Sequence, residues 1–91
     1  MVYLNVRHTV ADYKTWRPFF DKDDARRRAA GATGKHQVYR DVDNPNILTI
    51  VMEWDTAERA QKFAHDPKLG EVMMEAGVIG MPALVAILNM A

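Results

Sequence analysis

The stretch Ile47-Leu48-Thr49-Ile50-Val51-Met52-Glu53-Trp54 decides the fold. A strand turns successive side chains to opposite faces, and here apolar groups fall on both: Ile47 and Val51 on one, Leu48, Ile50, Met52 and Trp54 on the other. Such a strand belongs in the interior of a sheet. Just before it, Asp43-Asn44-Pro45-Asn46 strings together four turn-forming residues. That predicts a hairpin tip, with a partner strand over residues 35–42 in which Val38 and Tyr39 occupy opposite faces.

Downstream of Trp54, Asp55 and Glu58 fit a capping box. Ala57, Ala60, Phe63 and Ala64 then form the inner stripe of a helix. Asp66-Pro67 restarts a helix, because Asp caps and proline is tolerated in the first turn; Val72, Met73 and Ala76 carry its apolar side to Gly77. After Gly80 and Pro82, residues 83–90 read as a last strand, apolar on both faces.

Upstream, Gly31 and Gly34 close a helix capped by Asp12. Its apolar residues are Tyr13, Trp16, Phe19 and Phe20, followed by Ala25, Ala29 and Ala30. Pro18 lacks a backbone donor and predicts a kink or break near Arg17. Before it, Val2, Leu4 and Val6 alternate with Tyr3, Asn5 and Arg7, which makes residues 2–9 the first strand. The order is βαββαβ, a ferredoxin-like α+β fold with an antiparallel four-stranded sheet and helices on one face.

The 91 residues fit one domain, residues 1–91, with 48% hydrophobic and 26% charged side chains. The opposite sheet face stays bare in one chain, although its central and last strands are apolar on both sides. A second copy of the chain covering that face, a homodimer, is the economical expectation. Lys plus Arg and Asp plus Glu number 12 each, so no net field attracts nucleic acid or an anionic membrane. Arg26-Arg27-Arg28 follows Asp21, Asp23 and Asp24 and reads as ion pairing along a solvated helix face. No apolar stretch is long enough for a membrane span or a signal peptide, and a cytoplasmic protein is the expectation.

With no cysteine and no serine, thiolate and serine nucleophiles and Cys-ligated metals are excluded. His8, His36 and His65 have no metal-ligand spacing, and Gly31-Ala32-Thr33-Gly34 lies between helix and strand, the wrong order for a phosphate loop. No metal and no cofactor is expected. What remains is an apolar cavity with a few polar groups. Asn5 and Arg7 share a strand face near Glu53, with an Arg7–Glu53 pair conceivable, and Trp16, Phe63 and Met73 lie on inner helix faces.

His8-Thr9-Val10-Ala11-Asp12-Tyr13 leading to Trp16 and Phe20-Asp21, then Val38-Tyr39-Arg40, the Asp43–Asn46 turn, Glu53-Trp54-Asp55 and Glu75-Ala76-Gly77-Val78 together carry a resemblance. Across nearly the whole chain the sequence resembles the small dimeric α/β-barrel proteins, the superfamily that includes antibiotic-biosynthesis-monooxygenase-like domains. The resemblance implies a ligand held between sheet and helices. Haem-degrading members use an Asn, a Trp and a His where this chain has Asn5, Phe63 and Met73, so only the Asn matches.

Two functions are left open. One is a cofactor-independent monooxygenase, or a related cyclase or isomerase, acting on a small, largely apolar aromatic. In it Asn5 and Arg7 bind a substrate oxygen or anion, Trp16 and Tyr39 pack its rings, Phe63 and Met73 line the pocket and His8 moves a proton. The other is a non-catalytic ligand-binding or assembly module.

Overall fold

In the computed structural model, which describes the backbone of all 91 residues and the side chains of all but residues 80–84, the chain runs β1 (Val2–Val10), α1 (Tyr13–Lys22), α2 (Asp24–Ala30), β2 (Ala32–Arg40), β3 (Ile47–Trp54), α3 (Ala57–Ala64), α4 (Pro67–Glu75) and β4 (Val78–Leu88). The sheet is antiparallel and ordered β2-β3-β1-β4. This is the expected ferredoxin-like arrangement, with β3 interior between β1 and β2. One chain leaves the sheet open.

Pairing fixes which residues share a face. Leu4 lies opposite Met52, Val6 opposite Ile50 and His8 opposite Leu48, so even positions of β1 look toward the helices. Tyr3, Asn5, Arg7 and Thr9 look the other way. The core gathers on the helix side, where Leu4, Leu48 and Trp54 are fully buried and Trp54 packs on Phe63 with ring centroids 4.9 Å apart. No helix is long and apolar enough to cross a membrane.

Several boundaries differ from the sequence expectation. The first helix passes through Pro18 and breaks instead at Asp23, whose backbone N–H still reaches the Phe19 carbonyl at 3.1 Å. Pro18, at the sixth helical position, forgoes one intrahelical N–H donor, and the burial of Trp16 and Phe20 on either side of it holds the helix together. The Asp55–Glu58 capping box is replaced by Thr56, whose hydroxyl accepts from Arg59 N at 3.2 Å, while Asp55 pairs with Arg59. β2 begins at Ala32, with its register shifting between Ala32 and His36, so Gly31 alone closes α2. Gly31 has φ 130°, and a Cβ there would meet Asp55 Oδ1 at 2.7 Å. β4 begins at Val78, because an edge strand tolerates breakers such as glycine and proline that an interior strand does not. On the helices Ala25, Ala29 and Ala57 are exposed, outside the inner stripes expected of them.

Candidate functional site

Period-two alternation on β1 divides the residues expected to act together. Asn5 and Arg7 lie on the open face of the sheet, and so does Tyr39, which sits opposite Thr49 as Arg7 does from the other side. His8, Trp16, Phe63 and Met73 lie on the helix side and are buried. The single pocket combining all of them does not form. Sheet parity prevents it.

Arg7 is already engaged on the open face. Its Nη1 and Nη2 donate to the two Asp41 carboxylate oxygens at 2.9 and 2.7 Å, and Nη1 also donates to Thr49 Oγ1 at 3.0 Å. This fork holds the guanidinium above its ordinary pKa and the Asp41 carboxyl below its own. The Arg7–Glu53 pair that the shared strand face made conceivable is absent, because Tyr3, not Arg7, lies opposite Glu53; Glu53 accepts instead from Thr33 Oγ1 at 2.9 Å. Tyr39 donates its hydroxyl to Gln37 Oε1 at 2.6 Å and stays half-exposed.

The helix side holds a cavity of about 70 Å³. Leu4, Val6, Ile50 and Met52 form its floor; Trp16 and Phe20 from α1, Phe63 from α3 and Met73 from α4 form its walls. Trp16 and Phe20 are stacked, with centroids 5.0 Å apart and planes 22° from parallel. Only His8, Asp23 and Arg27 bring ionisable groups to this lining.

His8 meets Trp16 edge-on at 5.8 Å, and neither ring nitrogen has a hydrogen-bond partner among the described residues. Burial pushes its pKa down to about 4, so the imidazole is neutral near pH 7. At the other end of the aromatic stack, the Arg27 guanidinium lies 3.9 Å over the Phe20 ring. Its Nη1 donates to the Phe20 carbonyl at 2.8 Å, while Nη2 makes no hydrogen bond among the described residues. Burial also pulls the Arg27 pKa below its ordinary value.

The expectation for the basic triplet is therefore half right. Arg26 grips Asp23 through both carboxylate oxygens at 2.8 and 2.9 Å, and Arg28 reaches Asp24 at 2.7 Å, as ion pairing predicts. Arg27 turns inward instead and is 4% exposed. A signal for it exists in the spacing, since Trp16, Phe20, Asp23 and Arg27 recur at the four-three-four interval of one helix face. His36 is half-buried with its ring edge-on to Phe20, and His65 is exposed. Among the described residues no three His, Asp or Glu side chains converge to hold a metal ion.

No protein-family model matches the sequence, and no curated protein matches it. Solved structures do match in shape over nearly the full length. An antibiotic biosynthesis monooxygenase superposes with a TM-score of 0.68 at 9% identity, covering 100% of this chain and 99% of the other. SnoaB, a cofactor-independent oxygenase from Streptomyces nogalater, gives a TM-score of 0.70 at 16% identity, with 99% and 92% covered. A Mycobacterium tuberculosis protein gives 0.68 at 16% identity, with 99% and 94% covered. The chain is thus a ferredoxin-like α+β subunit with the fold of the antibiotic-biosynthesis-monooxygenase-like proteins.

Proposed function

We propose that the helix-side cavity binds a small, largely apolar aromatic and that the chain oxygenates it without a cofactor. One observation carries this reading: two buried polar groups, His8 and Arg27, face one apolar cavity and lack full complements of partners among the described residues. The Trp16 and Phe20 rings, which border the cavity, offer aromatic contact to another ring. A cofactor-independent monooxygenation draws its electrons from the substrate, so that a CH2 group and dioxygen become a carbonyl and water. Such a step begins with loss of a substrate proton. Neutral His8 is free to accept it, and although its lowered pKa makes it a weak base, an anion developing beside it raises that pKa again. Asn5, Arg7 and Tyr39 have no part in this chemistry, being on the other face.

The second reading is a non-catalytic ligand-binding or assembly module, and the small volume favours its assembly form. About 70 Å³ is small beside the roughly 300–1,000 Å³ of typical ligand sites, so an aromatic must displace side chains such as Met73 or extend through the mouth. Native mass spectrometry of the purified protein and oxygen-uptake assays with hydroxylated aromatics separate the two. A co-purified aromatic with oxygen uptake supports the enzyme; a bound ligand with no uptake across the series leaves a binding module; neither a ligand nor uptake leaves an assembly module.

The reading includes a homodimer formed through the open face. Tyr39, Ile79 and Leu88 are exposed there, and Asn5 Oδ1 is buried without a partner among the described residues. A second copy related by a two-fold axis would cover the apolar groups and bring donors to Asn5.

A further inference from the structure

We propose that Arg27 selects aromatic acids, so that the cavity's preferred ligand carries an anionic oxygen which accepts a hydrogen bond from Arg27 Nη2. This rests on the helix-side cavity being the binding site, and it goes further by naming the charge of the ligand and the residue that reads it.

Charge accounting around Arg27 leads there. It is the one buried cation among the described residues, and burying a guanidinium is costly unless an anion compensates it. Among the described residues no neighbouring aspartate hydrogen-bonds it. Asp23, although it lines the cavity, has both oxygens gripped by Arg26, and Asp21 accepts from Arg17 Nε at 3.0 Å. Asp24 bonds Arg28 through Oδ2, and its Oδ1 makes only a long ion pair with Arg27 Nη2 at 3.7 Å, beyond hydrogen-bond range. The guanidinium keeps one arm on the Phe20 carbonyl and its face on the Phe20 ring, which fixes its orientation. A carboxylate or phenolate on a ring held in the cavity beside Trp16 would complete the Nη2 hydrogen bonds and add a closer counter-charge than Asp24 supplies at 3.7 Å, in a water-poor site.

His8 marks the opposite end of the same aromatic wall. A neutral imidazole there imposes no charge requirement, so the ligand's acidic group is directed to the Arg27 end. The site is built for a ligand with one charged and one uncharged end.

Calorimetric titration of the wild-type chain at pH 7 with 2-naphthoate and with its neutral isostere 2-naphthamide tests this. The acid is expected to bind at least about tenfold more tightly, the scale of one charge-assisted hydrogen bond. Arg27→Met should erase that preference while circular dichroism shows the fold retained, and Arg27→Lys should keep part of it. Equal affinity for acid and amide in the wild type, or an undiminished preference in folded Arg27→Met, overturns the selection by Arg27 and leaves the cavity reading standing. If neither probe binds the wild type, the cavity reading fails and takes this inference with it. Should Arg27→Met not fold, the wild-type comparison and Arg27→Lys decide between these outcomes.

Discussion

The two faces of the sheet carry opposite kinds of arginine. On the open face Arg7 is partly exposed, yet Asp41 and Thr49 satisfy its inner edge. On the helix side Arg27 is buried, yet one of its nitrogens is unpaired among the described residues. A satisfied, solvated ion pair contributes little and specifies geometry, whereas a buried, incompletely paired charge costs stability. Strand β1 crosses from one regime to the other at every residue. Three adjacent positions, Val6, Arg7 and His8, are core, surface pair and cavity wall.

The largest break in this comparison comes from the helix-side core. Leu4 is fully buried, so Leu4→Ala should lower unfolding free energy by about 2–5 kcal/mol. Tyr39→Ala, on the open face, should change the same urea-unfolding measurement by only about 0.5 kcal/mol within one chain, any larger loss reporting contact with the second copy. Comparable losses at the two sites would mean that the open face is also core.

His8 sharpens the comparison through pH. Its folded pKa, about 4, lies below the ordinary 6.5, so between these values the unfolded chain binds the extra proton. Stability attributable to neutral His8 is therefore complete above pH 6.5 and is lost as pH falls toward 4, by up to about 3 kcal/mol. His8→Leu, close in volume, should flatten that part of the profile. An unchanged slope in the variant would show that His8 is not held neutral by burial.

How much of this was legible in the sequence follows from period and partner. The alternation of Val2, Leu4 and Val6 fixes the two faces of β1, and the double-sided apolarity of Ile47 to Trp54 fixes the interior strand, because burial of one face imposes register. The same alternation separates Asn5 and Arg7 from His8. Gathering them into one pocket with Trp16 runs against it. Arg27 was harder to read, since a charged triplet beside three aspartates satisfies local pairing in several ways. Only the tertiary position of α2 decides which arginine turns inward. Strand boundaries at β2 and β4 were obscured by glycine and proline that edge strands accommodate.

The open face is tested next by assembly. Light scattering of the wild-type chain should give about twice the 10.3 kDa subunit mass. Leu88→Asp, which places a charge among the exposed apolar groups of that face, should halve the mass while leaving circular dichroism unchanged. A wild-type monomer would remove the dimer from the proposed function without touching the helix-side cavity.

The smallest effect belongs to Asp41. Its carboxyl is held below the ordinary value of 3.8 chiefly by the Arg7 hydrogen bond, so whatever stability the pair contributes is present above pH 3.8 and lost as pH falls through the lowered value. Both side chains are partly solvated, and water competes for the same hydrogen bonds. Asp41→Asn should accordingly shift the urea midpoint slightly at pH 7, and the shift should shrink as pH falls below 3.8. A shift at pH 7 rivalling that of Leu4→Ala would contradict the assignment of Arg7 to a solvated surface pair. Arg7 would then have to be counted, like Arg27, as a charge whose partner decides whether its face is stable.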